Sequence, residues 1–274
     1  MIEAGGGKLR RLRAEDLPAA AQLSAEAAWN QTKQDWRTLL ELSPEGCLAI
    51  EVNGHLAAST TLLCYGRRLA WIGMVLTKAE FQRRGFAKTM LSETLENADA
   101  MGIATIKLDA TDQGQPLYES LGFRSEQAIE RWSRPGDNSA QPPTVRASEQ
   151  EPWRDLDPPV FGTDRSRLLE KLAQLNPPRT ISRSHLFTRP GRVTAYLGPC
   201  ISEDPTAARR LIEESVLNST CSWSWDLFPR NQNAVALARD LGFSPQRHLV
   251  RMARGKELCE NVPAIYAIAG FELG

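Results

Sequence analysis

The 274-residue chain has no excess of charge: Lys plus Arg and Asp plus Glu both number 33. A balanced chain gives no general electrostatic reason to bind nucleic acid or an anionic membrane surface. It has no apolar run long enough to cross a bilayer. The opening MIEAGGGKLRRLR lacks the apolar centre of a secretory signal. Five cysteines (Cys47, Cys64, Cys200, Cys221, Cys259) are scattered, with no Cys-x-x-Cys pair. His55, His185 and His248 stand at no metal-ligand spacing from them. These absences point to a cytoplasmic protein with reduced thiols and no metal. The usual nucleotide fingerprints, a Walker loop and Gly-x-Gly-x-x-Gly, are also missing.

What is there is the pattern of a globular chain, 42% hydrophobic and 24% charged, long enough for two ordinary domains. KLRRLRAED reads as a strand entering a turn, and LPAAAQLSAEAAW has helical apolar spacing. CLAIEVNGHLAASTTLLCYG is a hairpin around Asn53-Gly54, and LAWIGMVL is an apolar strand. A long helix is expected from about Arg84 to Met101, then a strand IATIKLDA, a short helix 115–121 and a last strand FRSEQAIERWS. Residues 133–145, SRPGDNSAQPPTV, read as a linker.

The order of elements then partly repeats. DRSRLLEKLAQL is a helix and RVTAYLGPCI a strand. PTAARRLIEESVL is a helix with Asp204 as N-cap and Pro205 at its first position. TCSWSWDLF is a strand and NAVALARDLGF a helix. QPLYESLGF ends 120 positions before VALARDLGF ends, and both close on Leu-Gly-Phe. That tripeptide alone is an ordinary helix C-cap. The matching elements before it make duplication the better reading.

Residues 74–91, MVLTKAEFQRRGFAKTML, carry the chemical signal. A strand ends near Leu76 and a helix begins near Gly85, so unpaired helix amides and the positive end of the helix dipole face the loop. Gly85 and Ala87 let a ligand approach the backbone, and Arg83, Arg84 and Lys88 add positive charge. This suits a diphosphate, although a solvated basic helix start looks the same on spacing alone.

Gln82-Arg83-Arg84-Gly85-Phe86-Ala87 resembles the Gln/Arg-x-x-Gly-x-Gly/Ala signature of the GNAT acyltransferases, with WIGMVL where that family's fourth strand stands and LYESLGF where its later helix stands. The second half, with YLGPCISED and PAIYAIAGFELG, is similar to the GNAT-like C-terminal domain fused to such enzymes in bacteria. The resemblance implies two tandem domains, 1–136 and 137–274. Each would be a mixed, mostly antiparallel sheet flanked by helices, and the second would be degenerate. It implies acetyl-coenzyme A in a gap between residues 70–76 and 103–110. Met74, Val75 and Leu76 would hold the pantetheine arm, and Gln82, Arg83, Arg84, Gly85, Phe86, Ala87 and Lys88 the pyrophosphate.

An amine of a small molecule or polypeptide would then attack the thioester directly. Tyr118 falls where the family's general acid stands, and a Tyr packed on the core is the plainer alternative. Asp109 and Asp112 are candidate bases, set against ordinary turn chemistry. WNQTKQDW, residues 29–36, borders the acceptor side of this fold. Trp29 and Trp36 would wall a pocket there, with Asn30, Gln31 and Asp35 as polar contacts; two core tryptophans fit equally well. Two departures from the family pattern stand out. Thr111 replaces an Asn that the second half keeps as Asn231, and Ala238 replaces the Tyr in the second half. A coenzyme A-binding sensor without turnover is the alternative function.

Overall fold

The computed structural model describes residues 3–4, 6–136, 153–217 and 219–274. Most of the expected linker therefore lies outside the described residues. The first half runs β1 (Glu3–Ala4), β2 (Gly7–Arg11), α1 (Leu17–Glu26), α2 (Lys33–Leu42), β3 (Cys47–Val52), β4 (His55–Tyr65) and β5 (Leu69–Thr77). It continues with α3 (Phe86–Ala100), β6 (Thr105–Ala110), α4 (Gln115–Ser120) and β7 (Arg124–Arg134). The second half runs α5 (Trp153–Phe161), α6 (Ser166–Leu175), β8 (Arg179–Ile181), β9 (Ser184–Arg189) and β10 (Ala195–Ser202). It closes with α7 (Pro205–Val216), β11 (Trp223–Leu227), α8 (Gln232–Asp240), β12 (Ser244–Gly255) and β13 (Ile265–Ala267).

The expected N-cap at Asp204 forms, and Asn231 adds one that was not read from the sequence. The Asp204 side chain accepts from the amide of Thr206, and Asn231 caps α8 by accepting from the amide of Ala234 at 3.1 Å. One expectation is corrected. Residues 29–36 are not a loop, because α2 begins at Lys33 behind a capping box. The Thr32 amide donates to the Asp35 carboxylate at 2.6 Å, and the Asp35 amide to Thr32 Oγ1 at 3.3 Å.

Among the described residues the strands form one 13-stranded sheet, ordered β1-β2-β3-β4-β5-β6-β12-β7-β11-β10-β9-β8, with β13 on β10. Only β5–β6 and β10–β11 are parallel. The two halves exchange their last strands. β12 of the second half lies against β6 of the first, β7 of the first lies against β11 of the second, and β7 and β12 pair with each other. Arg131 on β7 and Arg251 on β12 are 120 positions apart, the same interval as Gly122 and Gly242. The molecule is thus a pseudo-symmetric pair joined through its own β-ladder.

Alternation along β5 shows the layers. Leu69 and Trp71 enter a core shared by α1, α2, α5 and α6, whereas Ala70 and Ile72 enter the core under α3 and α4. On the second half, α7 and α8 pack over Leu197, Trp225 and Phe243. α1 and α2 of one half and α5 and α6 of the other therefore share a core, so neither half buries its apolar surface alone.

Candidate active site

β5 and β6 pair only at Leu69–Trp71 with Thr105–Lys107. Beyond Trp71, β5 has no strand partner on its β6 side among the described residues, while β6 pairs with β12 on its other edge along its whole length, Thr105–Ala110. The opening is widened by a bulge in the β4–β5 ladder, where Met74 takes φ 51°. A left-handed conformation at a non-glycine residue costs energy and persists only where neighbours enforce it. Here the Ser59 hydroxyl donates to the Met74 carbonyl at 2.9 Å.

A cleft of about 990 Å³ occupies this opening. Met74, Val75 and Leu76 line one wall, and Gln82, Arg83, Gly85, Phe86, Ala87 and Lys88 line its mouth. Gly85 is the N-cap of α3 at φ 83°, and a Cβ placed there would meet nothing within 4 Å. The first amides of α3 are therefore open to a ligand, and the positive φ explains the glycine. Of the loop residues singled out from sequence, Arg84 does not line the cleft. Its guanidinium sits 5.2 Å from the centre of the Phe81 ring.

Tyr118, on α4, lines the inner wall with its ring edge-on to Phe123 at 6.0 Å. Burial pushes its hydroxyl up to about 12, so the phenol stays protonated at neutral pH. Asp109 also reaches the cleft, but its carboxylate is taken. Arg251 donates to it through Nε at 2.9 Å and Nη2 at 3.0 Å. Burial raises the Asp109 pKa while that arginine opposes the rise. Asp112 is exposed at the rim.

The acceptor candidates separate. Trp29 and Gln31 line the cleft. Trp36 is a core residue, fully buried with its indole NH on Ser24 Oγ at 2.9 Å. Asn30 ties the two halves together, donating to the Thr194 carbonyl at 2.8 Å and accepting from the Val193 amide at 2.7 Å. Asp35 is buried and spends its carboxylate on the α2 cap and on Arg189 Nε at 2.9 Å. Trp36, Asn30 and Asp35 therefore build the fold around the pocket and do not face an acceptor.

Sequence reasoning missed the cleft residues that come from β7 and the second half: Arg131, Arg247, His248, Leu249, Phe271 and Glu272. The segment after β13 crosses onto the first half. Trp71 Nε1 donates to the Phe271 carbonyl at 2.9 Å and the Tyr65 hydroxyl to the Leu273 carbonyl at 2.5 Å. Gly73 permits this, since a Cβ there would come 2.9 Å from Glu272 Cα.

The corresponding opening in the second half is filled. β10 and β11 pair at Ala195–Leu197 with Trp223–Trp225, and β13 then takes the place beside β10, pairing Cys200 with Ala267 and Ile201 with Ile265. Trp225 Nε1 donates to the Tyr266 carbonyl at 2.7 Å, and the Ile268 amide to the Asp226 carbonyl at 3.0 Å. Asn231 Nδ2 holds the lead-in through the carbonyls of Val262, Pro263 and Ile265.

A short parallel strand pair followed by a helix, repeated once along the chain and opened by a glycine at the helix start in the first copy only, defines a tandem acyltransferase fold. The comparisons agree. The model of the acetyltransferase (GNAT) family matches residues 8–123, and that of the acetyltransferase (GNAT) domain matches residues 153–267. A curated relative, the uncharacterized N-acetyltransferase YitH of Bacillus subtilis, is 26% identical over 225 residues, covering 75% of this chain and 76% of its own. The crystal structure of a proposed acetyltransferase from Pyrococcus horikoshii superposes with TM-score 0.81 at 22% identity, over 100% of this chain and 98% of that one. A tandem GNAT protein from the clavulanic acid biosynthesis pathway gives 0.63 at 13% identity, over 92% and 99%. The chain belongs to the GNAT acetyltransferases and carries two such domains in tandem. No helix among the described residues is long and apolar enough to cross a membrane.

Proposed function

We propose that the protein transfers the acetyl group of acetyl-coenzyme A to a primary amine of a small molecule or polypeptide, in the cleft of the first half alone. In this reading residues 1–136 are the working domain and residues 137–274 a degenerate copy. The observation that carries it is the contrast between the two openings: one leads to the Gly85 helix start, the other is closed by β13. The free space at Gly85 and the unpartnered edge of β5 fit a phosphate-bearing, strand-like cofactor. Bound there, acetyl-coenzyme A supplies an activated acetyl thioester.

The chain's own residues do the rest. Backbone groups of Met74 to Leu76 hold the pantetheine arm in the place of a missing strand. The amides at the start of α3, with Arg83 and Lys88, hold the pyrophosphate, and Gln82 borders it. Alignment of amine and thioester supplies most of the acceleration. Tyr118, kept protonated by its apolar surroundings, donates its hydroxyl proton to the departing thiolate, which restores a neutral thiol. With Asp109 held by Arg251, the candidate base read from the sequence narrows to Asp112 acting through water. A thiol-release assay with acetyl-coenzyme A against amines, amino acids and peptides tests this reading. Tight coenzyme A binding with no release for any acceptor would favour the sensor instead.

A further inference from the structure

The acceptor end of the cleft carries two imbalances among its polar groups. The first involves Gln31 and Glu272. Arg189 is buried and serves two acidic groups, Asp35 at 2.9 Å and Glu272 at 2.7 Å, so one cation is shared between two carboxyls, and burial raises the Glu272 pKa while Arg189 opposes the rise. The Glu272 carboxylate also accepts from Gln31 Nε2 at 2.8 Å. That bond fixes the amide orientation, because its oxygen would repel the carboxylate. Gln31 Oε1 is then left buried without a hydrogen-bond partner among the described residues. A buried acceptor without a donor is costly, and here it lines the same cleft as a carboxyl that shares its cation. Both favour an ammonium.

The second imbalance lies across three strands. Asp226 on β11, Arg131 on β7 and Arg247 on β12 stand directly opposite one another in register. Asp226 holds Arg131 through both oxygens, at 2.7 and 2.6 Å. Arg247, half-buried on the cleft wall, has no hydrogen bond or ion pair among the described residues. Like charges opposite each other in a ladder destabilise it. The pseudo-symmetric row has a single arginine, Arg251, which serves two carboxylates, Asp109 and Glu260, each at 2.9 Å. There Asp109 and Arg251 are followed by Gln127, the position 120 before Arg247. Arg247 is thus an extra cation, added on the cleft side only.

Resting on the acetyl-transfer reading above, we infer that the acceptor is a primary amine that also bears a carboxylate, as a free amino acid does. Gln31 Oε1 and Glu272 receive its ammonium, and Arg247 its carboxylate. A polypeptide N-terminus offers no such carboxylate beside its amine, so of the two acceptor classes this cleft selects the small molecule.

The test uses the full chain, acetyl-coenzyme A, and the free amino acids paired with their carboxamides. Thiol release should favour at least one free acid over its carboxamide by about tenfold or more in kcat/KM. Arg247→Gln, which places there the residue type of Gln127, should collapse that preference to near unity through KM, and Arg247→Lys should restore part of it. Coenzyme A affinity, read by calorimetry, should be the same in wild type and both variants. A preference for carboxamides or peptides, an acid preference that survives Arg247→Gln, or loss of coenzyme A affinity in that variant overturns the inference. The last outcome would assign Arg247 to a cofactor phosphate. Acids that neither bind by calorimetry nor react also overturn it. Failure of wild-type protein to bind coenzyme A would instead bring down the acetyl-transfer reading itself.

Discussion

The two openings occupy equivalent places in a repeated sheet. Each follows a short parallel pair, β5–β6 in one half and β10–β11 in the other. In the first half the gap is left open and its loop is basic. In the second, β13 completes the ladder and Ser202-Glu203-Asp204-Pro205 stands where the first half has Gln82-Arg83-Arg84-Gly85. The difference teaches that a gap beside a parallel strand pair can be closed by a strand of the same chain. Once the chain fills it, the loop outside has no ligand to hold, and Asp204 is free to serve as a helix cap.

The comparison can be broken most strongly at Trp225. It is fully buried, edge-on to Phe243 at 5.3 Å, and bonded to the carbonyl of Tyr266 in β13. Trp225→Ala should cost about 3–5 kcal/mol, read as a lower midpoint in urea. A loss below about 1 kcal/mol would mean that β13 is not anchored there.

Gly85→Glu attacks the open gap. It puts a carboxylate and a strained φ at the helix start, so coenzyme A affinity should fall by about a hundredfold or more with the fold intact. Unchanged affinity in a folded variant would remove this loop from the cofactor site. Tyr118→Phe should lower kcat by about tenfold with little change in coenzyme A affinity. In the wild type, no falling limb of kcat below about pH 10 should come from this phenol, because burial keeps its proton on until the pH nears 12. A rate independent of the hydroxyl would make Tyr118 a packing residue.

The smallest effect should come from grafting Gln-Arg-Arg-Gly onto positions 202–205. Coenzyme A should still titrate to one site per chain, since β13 remains in place. Two sites would show that the loop sequence, and not the filled gap, silences the second half.

Much of this was legible in the residues. The basic loop, the glycine at the helix start and the Leu-Gly-Phe repeat are local signals, and local rules govern them. The capping box of α2 was equally local. Thr32 and Asp35 have the right spacing, but two tryptophans nearby suggested a pocket wall. What could not be read was long-range. β13 is three residues long, and nothing in Ile265–Ala267 says which edge it joins. Arg131 and Arg247 look like the solvent-facing positions of alternating strands, because only the exchanged register brings them together over the cleft. Glu272 sits 199 positions from Gly73, the residue whose missing side chain makes room for it.

The exchanged strands also set the order in which the protein can be made. When β7 leaves the ribosome, neither of its ladder partners exists, and the free edge of β6 awaits β12, which begins 110 residues after β7 ends. At roughly 5–20 residues per second, the nascent chain carries an open sheet edge for about 5–20 s. Such an edge invites pairing with other chains. Slower synthesis lengthens that exposure and faster synthesis shortens it.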